Sequence, residues 1–187
     1  LLPSLVEDIK TICNMDSRQD EAAPGHPFGK RVTDCLNKAL EIAGGMGFET
    51  ENVGNQVGIV SYGPDTEEYL ACVGHLDVVD INGVWKTDPF VCTEKDGTLY
   101  ARGVLDNKGP MFCCLYTLKA LVDLGYEFPI KVKIIFGTNE ETGMEDMKWY
   151  FKDHKYPKLG WTPDCKYPVI YAERGRAAFR YSLPREE

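Results

Sequence analysis

The chain has 187 residues, 43% of them hydrophobic and 27% charged, with a formal net charge of −8; that length sets an expectation of roughly one domain. The acidic balance and the lack of any basic run argue against nucleic acid or an anionic membrane surface as partner. No apolar stretch approaches the roughly 18 residues of a membrane span, and Leu1 to Leu5 is too short for a signal-peptide core, with Glu7 and Asp8 close behind.

Ser4-Leu5-Val6-Glu7 has the form of a capping box, and Leu5, Ile9 and Ile12 recur at helical spacing, so a helix is predicted over 4–14. Residues 15–27 are polar, carry Pro24-Gly25 and Pro27, and read as loop. Val32, Leu36, Leu40 and Ala43 mark a second helix, which Gly44-Gly45 stops. Residues 56–62 and 68–74 read as strands around a Gly-Pro-Asp turn, and 80–100 as short strands and turns. From Asn107 to Leu124, Met111, Leu115, Leu118 and Val122 fall on one face of a long helix. Ile130 to Phe136 turns wholly apolar, as a central strand does. A helix is predicted from Thr142-x-x-Glu145 to about His154, then strands at 169–172 and 178–183. Helices between apolar strands in a mixed order give an α/β fold, a three-layer α/β/α sandwich. Seven cysteines (Cys13, Cys35, Cys72, Cys92, Cys113, Cys114 and Cys165) are odd in number and lack a C-x-x-C pair. Buried, reduced thiols in a cytoplasmic protein are expected.

The most informative stretch is Gly74-His75-Leu76-Asp77-Val78-Val79, where an apolar strand delivers an imidazole and a carboxylate at its C-terminal end. Open α/β sheets bind ligands there, and neutral imidazole is a common zinc ligand. Asp106 stands just before the long helix, where alone it would read as an N-cap. Glu140-Glu141 follow the most buried strand, and adjacent side chains there can serve different tasks. Asp164, beside Pro163, would alone read as a turn aspartate. Together, one histidine and several carboxylates suit Zn²⁺ or a similar divalent ion. Without an ion, five converging carboxylates would repel one another, so convergence is expected as a two-metal site.

The ordered motifs G-H-L-D-V-V, G-V-W-K-T-D-P-F, A-R-G-V-L-D-N-K-G-P, G-T-N-E-E-T-G and P-D-C-K-Y-P resemble the zinc-dependent aminoacylase/carboxypeptidase/dipeptidase metallopeptidase family, most closely its bacterial dipeptidase V-like (Xaa-His dipeptidase) branch. The resemblance implies a zinc-exopeptidase-like catalytic domain that hydrolyses dipeptides with a di-zinc-activated water, with Mn or Co as other possible metals. It implies His75 and Asp164 as ligands of one zinc, Asp106 as the bridge, and Glu141 as a ligand of the second. Glu140 is then the general base and Asp77 the acid behind it. A cis Asp106–Asn107 bond is implied as well; the family often has a second acidic residue where Asn107 stands. The family also supplies another histidine from far along its C-terminal part, which neither His26 nor His154 matches; both are expected to face solvent. Residues 1–187 are therefore expected to be the N-terminal portion of the catalytic domain, ending before the lid domain and inactive alone. A deacylase or desuccinylase of the same family is the alternative enzyme, and a non-catalytic metal-binding remnant the alternative of another class. The expected partner is a small peptide substrate, and the oligomeric state is left open.

Overall fold

The computed structural model describes residues 1–164, 166, 168–175 and 177–183. Among the described residues there are four α-helices: α1 (Leu2–Cys13), α2 (Lys30–Gly45), α3 (Lys108–Asp123) and α4 (Glu145–Tyr150). Seven strands accompany them: β1 (Glu49–Val53), β2 (Val57–Tyr62), β3 (Tyr69–His75), β4 (Thr93–Lys95), β5 (Thr98–Tyr100), β6 (Lys131–Gly137) and β7 (Leu159–Trp161). A five-stranded mixed sheet runs in the order β1-β2-β6-β3-β7, and β4 and β5 form a separate hairpin. β1 and β2 are antiparallel, as are β2 and β6, whereas β3 runs parallel to both β6 and β7.

Alternation along the strands divides the core in two. Val60, Cys72, Val132, Ile134 and Phe136 face α1, α2 and α3, against Ile12, Leu36, Leu40, Phe112 and Leu115. Val57, Ile59, Tyr69, Ala71 and Ile135 face the other way, against Met147 and Tyr150 of α4. Helices on both faces of one mixed sheet form the three-layer α/β/α arrangement read from the sequence. The second helical layer is thin, a single six-residue helix.

Several expectations are corrected. α1 begins at Leu2, with Pro3 in its first turn and no side-chain cap, so the Ser4–Glu7 capping box does not form; proline's fixed φ starts the helix instead. α2 continues through Gly44-Gly45 to a Met46 C-cap. The helix over 142–154 splits into a 3-10 turn at Glu140–Thr142 and the short α4, separated by Gly143 and by Met144 in the left-handed region. Residues 169–172 and 178–183 carry no strand; Val169, Tyr171, Phe179 and Tyr181 lie largely exposed, with no sheet neighbour to complete a ladder. β1 and β7 went unread. β1 is polar and exposed over its first four residues, with only Val53 half-buried, and β7 is three exposed residues, so neither carries an alternating apolar signal.

Lys108, the first residue of α3, is fully buried. Its Nζ donates to the Ile12 carbonyl at 3.0 Å and the Met15 carbonyl at 2.8 Å, at the C-terminal end of α1, where exposed carbonyls and the helix dipole favour a cation. Cys13, Cys35 and Cys72 are buried free thiols, Cys92 and Cys114 are half-buried and Cys113 is exposed; Cys165 lies outside the described residues. No helix among the described residues is long and apolar enough to cross a membrane.

Candidate metal centre

Parallel pairing of β3 with β6 sets His75 opposite Gly137, so the chain leaving β6 turns directly beside the imidazole. β7 runs parallel on the other side of β3, with Trp161 opposite Cys72, and Asp164 follows three residues later. α3 begins at the same edge, one residue after Asn107. The C-terminal ends of three parallel strands and one helix N-terminus thus deliver all six expected residues to one place, as ligand sites in open α/β sheets are built.

His75 is 2% exposed. Its Nδ1 lies 2.9 Å from the backbone carbonyl of Asp77. A carbonyl only accepts, so Nδ1 carries a proton and Nε2 is turned to the carboxylates. Nε2 lies 3.1 Å from Asp106 Oδ1, 3.5 Å from Asp164 Oδ2 and 3.8 Å from Glu140 Oε2. His75, Asp106 and Asp164 form one group whose ligand atoms lie within 4.8 Å of one another, and His75, Glu140 and Glu141 form a second. The Asp106–Asn107 bond is cis, as the resemblance implied.

Asp77 is buried at the base of this cluster, on the Nδ1 side of the imidazole, with its Oδ1 3.4 Å from His75 Nδ1. Its Oδ1 accepts from the Glu140 backbone N–H at 3.1 Å, and its Oδ2 from the Glu141 N–H at 3.1 Å and Gln19 Nε2 at 3.0 Å. The carboxylate thus holds the backbone of the 3-10 turn that carries both glutamates. Asp146 anchors the same turn from behind: its Oδ2 accepts from the N–H groups of Thr138 at 2.6 Å and Asn139 at 3.1 Å. Gln19, from the N-terminal loop, also receives a hydrogen bond from the Thr142 hydroxyl. Sequence reasoning missed Gln19, Asp146 and the hydrogen-bonding part of Asn107. Only their tertiary contacts beside a metal motif mark them, and those contacts are not readable from periodicity.

The electrostatics follow from crowding. Burial pulls the His75 imidazole down, but Asp77 and then Asp164 outweigh it and hold the pKa at about 9. Glu140 is pushed up by burial and by Asp164, Asp77 and Asp106, against the opposing pull of His75. Glu141 is raised by burial and by Asp106, and Asp164 likewise. Burial and mutual repulsion are thus the common cause of the three raised carboxyls. One imidazole nitrogen with several carboxylate oxygens in reach is a donor set that suits a divalent ion such as zinc, and such an ion would relieve the repulsion. A cleft of about 400 Å³ opens beside the cluster, lined by His75, Glu140, Asp164, Met144 and Met147. A larger one, about 730 Å³, lies at Gly47, Tyr62 and Phe128 and includes none of these groups.

His154 is exposed and stacks on Tyr150 with ring centroids 4.0 Å apart, as expected of a surface residue. His26 is half-buried, which departs from the expectation that it faces solvent. Neither belongs to the two candidate ligand groups among the described residues.

Comparison with known proteins gives one family. YtjP of Bacillus subtilis (strain 168) is 35% identical over 173 residues, covering 91% of this chain and 37% of its own. The Beta-Ala-Xaa dipeptidase of Lactobacillus delbrueckii subsp. lactis is 32% identical over 187 residues, 98% of this chain and 40% of its own. The chain thus spans about two fifths of the length of the curated relatives it matches. Among solved structures, human carnosine dipeptidase 1 superposes with a TM-score of 0.72 at 24% identity, over 88% of this chain and 39% of that one, a likeness of fold. The sequence profile of peptidase family M20/M25/M40 matches residues 71–178, more than half of the chain and all six residues of the cluster, and the chain belongs to that family.

Proposed function

We propose that these residues form the metal-holding part of a dipeptidase active site, and that the protein hydrolyses the amide bond of small peptides. The convergence of Asp106, Asp164 and Glu140 on His75 Nε2 carries this reading, and the dipeptidase name of the Lactobacillus relative supports the substrate class. His75 and Asp164 would hold one zinc, Glu141 a second, and Asp106 would reach both. Two divalent ions in such a site polarise the scissile carbonyl and lower the pKa of water to about 7.

The chain's own groups do the rest. Glu140 Oε2 faces the imidazole and the cleft, and its raised pKa suits a group that takes a proton from water and passes it to the leaving amine. Asp77 acts by fixing the backbone of Glu140 and Glu141. The Asp77 carbonyl sets the imidazole's tautomer, a role usual for the partners of metal-bound histidines. Residues 1–187 would constitute the N-terminal portion of the catalytic domain, in a protein that works in the cytoplasm with its thiols reduced.

The test uses the natural polypeptide that carries this sequence, with metal content measured by mass spectrometry and dipeptide hydrolysis measured alongside. Glu140→Ala is expected to retain bound metal while turnover falls at least about a hundredfold, the lower end of what a general base contributes. Full turnover in that variant would move the base elsewhere. A protein without bound divalent ions would overturn the reading altogether.

A further inference from the structure

Asn107 stands at the N-cap of α3 but makes no capping hydrogen bond with its side chain. An N-cap asparagine usually accepts from the first turn of its helix; this one is spent elsewhere. It is fully buried. Its Oδ1 accepts from the His75 backbone N–H at 3.3 Å. Its Nδ2 donates to the Pro163 carbonyl and to Asp164 Oδ1, each at 3.2 Å. One amide therefore joins the end of β3, the loop after β7 and the start of α3. The fit is tight, since a Cβ built on Gly74 would overlap Asn107 Oδ1 and Met111 Sδ.

The pattern fixes the amide's orientation. Flipped, its oxygen would face a carbonyl and a carboxylate, two acceptors, inside the protein. It also fixes Asp164. Oδ1 is occupied by the amide, and Oδ2 is the oxygen that lies 3.5 Å from His75 Nε2. An aspartate at position 107 has the same shape but no donor, and would set a second negative charge against Asp164 and the Pro163 carbonyl.

We propose that Asn107 is a positioning residue that makes Asp164 present a single oxygen, Oδ2, to the ion shared with His75, through a donor that no carboxylate could supply. The inference rests on the metal-site reading above, and a double-mutant cycle on Co²⁺ binding separates the two. Metal-stripped natural protein is titrated with Co²⁺, followed by calorimetry and by the visible spectrum, for the parent, Asn107→Ala, Asp164→Ala and the double variant. Asn107→Ala is expected to weaken binding about tenfold or more, in the range typical of groups that orient metal ligands, and to alter the spectrum. In the Asp164→Ala background the same change should cost less than about twofold, because the residue through which it acts is gone. Additive losses in the two backgrounds would assign Asn107 a merely structural role and overturn the proposal while leaving the metal reading intact. A parent that binds no Co²⁺ overturns both. Should Asn107→Ala fail to fold, Asn107→Leu, of similar size and uncharged but without a donor, takes its place in the cycle, with the same two outcomes.

Discussion

Asp16 shows how far a single side chain can be followed from contacts to a measurable property. Its Oδ1 accepts from the Arg18 backbone N–H and Nε, and its Oδ2 from Arg18 Nη2 at 2.7 Å and Arg31 Nη1 at 2.6 Å. Partial burial pushes the carboxyl up, but the two guanidiniums outweigh it and hold the pKa at about 2. A folded-state pKa below the unfolded value means stability that is present above the unfolded pKa and lost as pH falls through the folded one. The pair geometry should therefore contribute at most about 2 kcal/mol near neutrality, fading between about pH 5 and pH 2. Urea unfolding of the parent and of Asp16→Asn at pH 7 and pH 3 checks this. The parent should lose more stability between the two pH values than the variant, and equal losses would contradict it. At this same scale the sequence was most informative about chemistry. His75, Glu140 and Glu141 were legible because each stands at the end of an apolar strand, whereas Asp106 and Asp164 read singly as an N-cap and a turn aspartate and gained meaning only from the ordered motifs. Gln19, Asn107 and Asp146 were not, because an amide in a loop, or an amide or a carboxylate at a helix start, is ordinarily solvated, and only tertiary contact makes it a scaffold.

Elements were legible where one face is apolar and opaque where none is. α2, α3, β2, β3 and β6 each bury residues at a clear period and stand close to their predicted positions. β1 buries almost nothing; what makes it a strand is a turn, Gly54-Asn55, with φ values of 61° and 56°, which folds it back on β2. The start of α3 shows how strictly an element can be placed. A Cβ built on Gly109 would overlap the Val104 backbone carbonyl, which belongs to the loop leading to Asp106 and has no freedom to retreat. Gly109→Ala should cost about 1–3 kcal/mol by overpacking, despite the better helix propensity of alanine. The urea midpoint measures it. Unchanged or raised stability would mean that the 104–109 corner yields more readily than its packing implies.

For the molecule as a whole, the order of the motifs along the chain anticipated the architecture better than local patterning did. Parallel strands put their C-terminal ends at one edge, so residues from four separate stretches between 75 and 164 meet there. The outer parts of the fold were less legible. Residues 169–172 and 178–183 have strand-like composition, but a strand needs a neighbour to pair with, and none borders them among the described residues. Carboxylates crowd together at one edge of the fold, and an ion bound there should stabilise it by mass action. At a free concentration one hundred times the dissociation constant the gain is about 2.7 kcal/mol, and the melting temperature should rise with it. Thermal unfolding of the natural protein with zinc and after chelation tests this. A melting temperature indifferent to chelator would argue against an ion in the cluster.

The buried ammonium of Lys108 ties the first helix to this edge in a way that proximity alone does not reveal. α1 contributes no group to the cluster, yet its last carbonyls solvate a cation two residues past Asp106. Proteolysis or truncation that frees α1 would strand that charge in an apolar interior, and the readiest relief is for the 106–108 corner to swing outward and hydrate it. The anionic side chain it carries would leave with it. Damage at the amino terminus should therefore register first as weakened retention of any ion bound there, before the sheet itself comes apart.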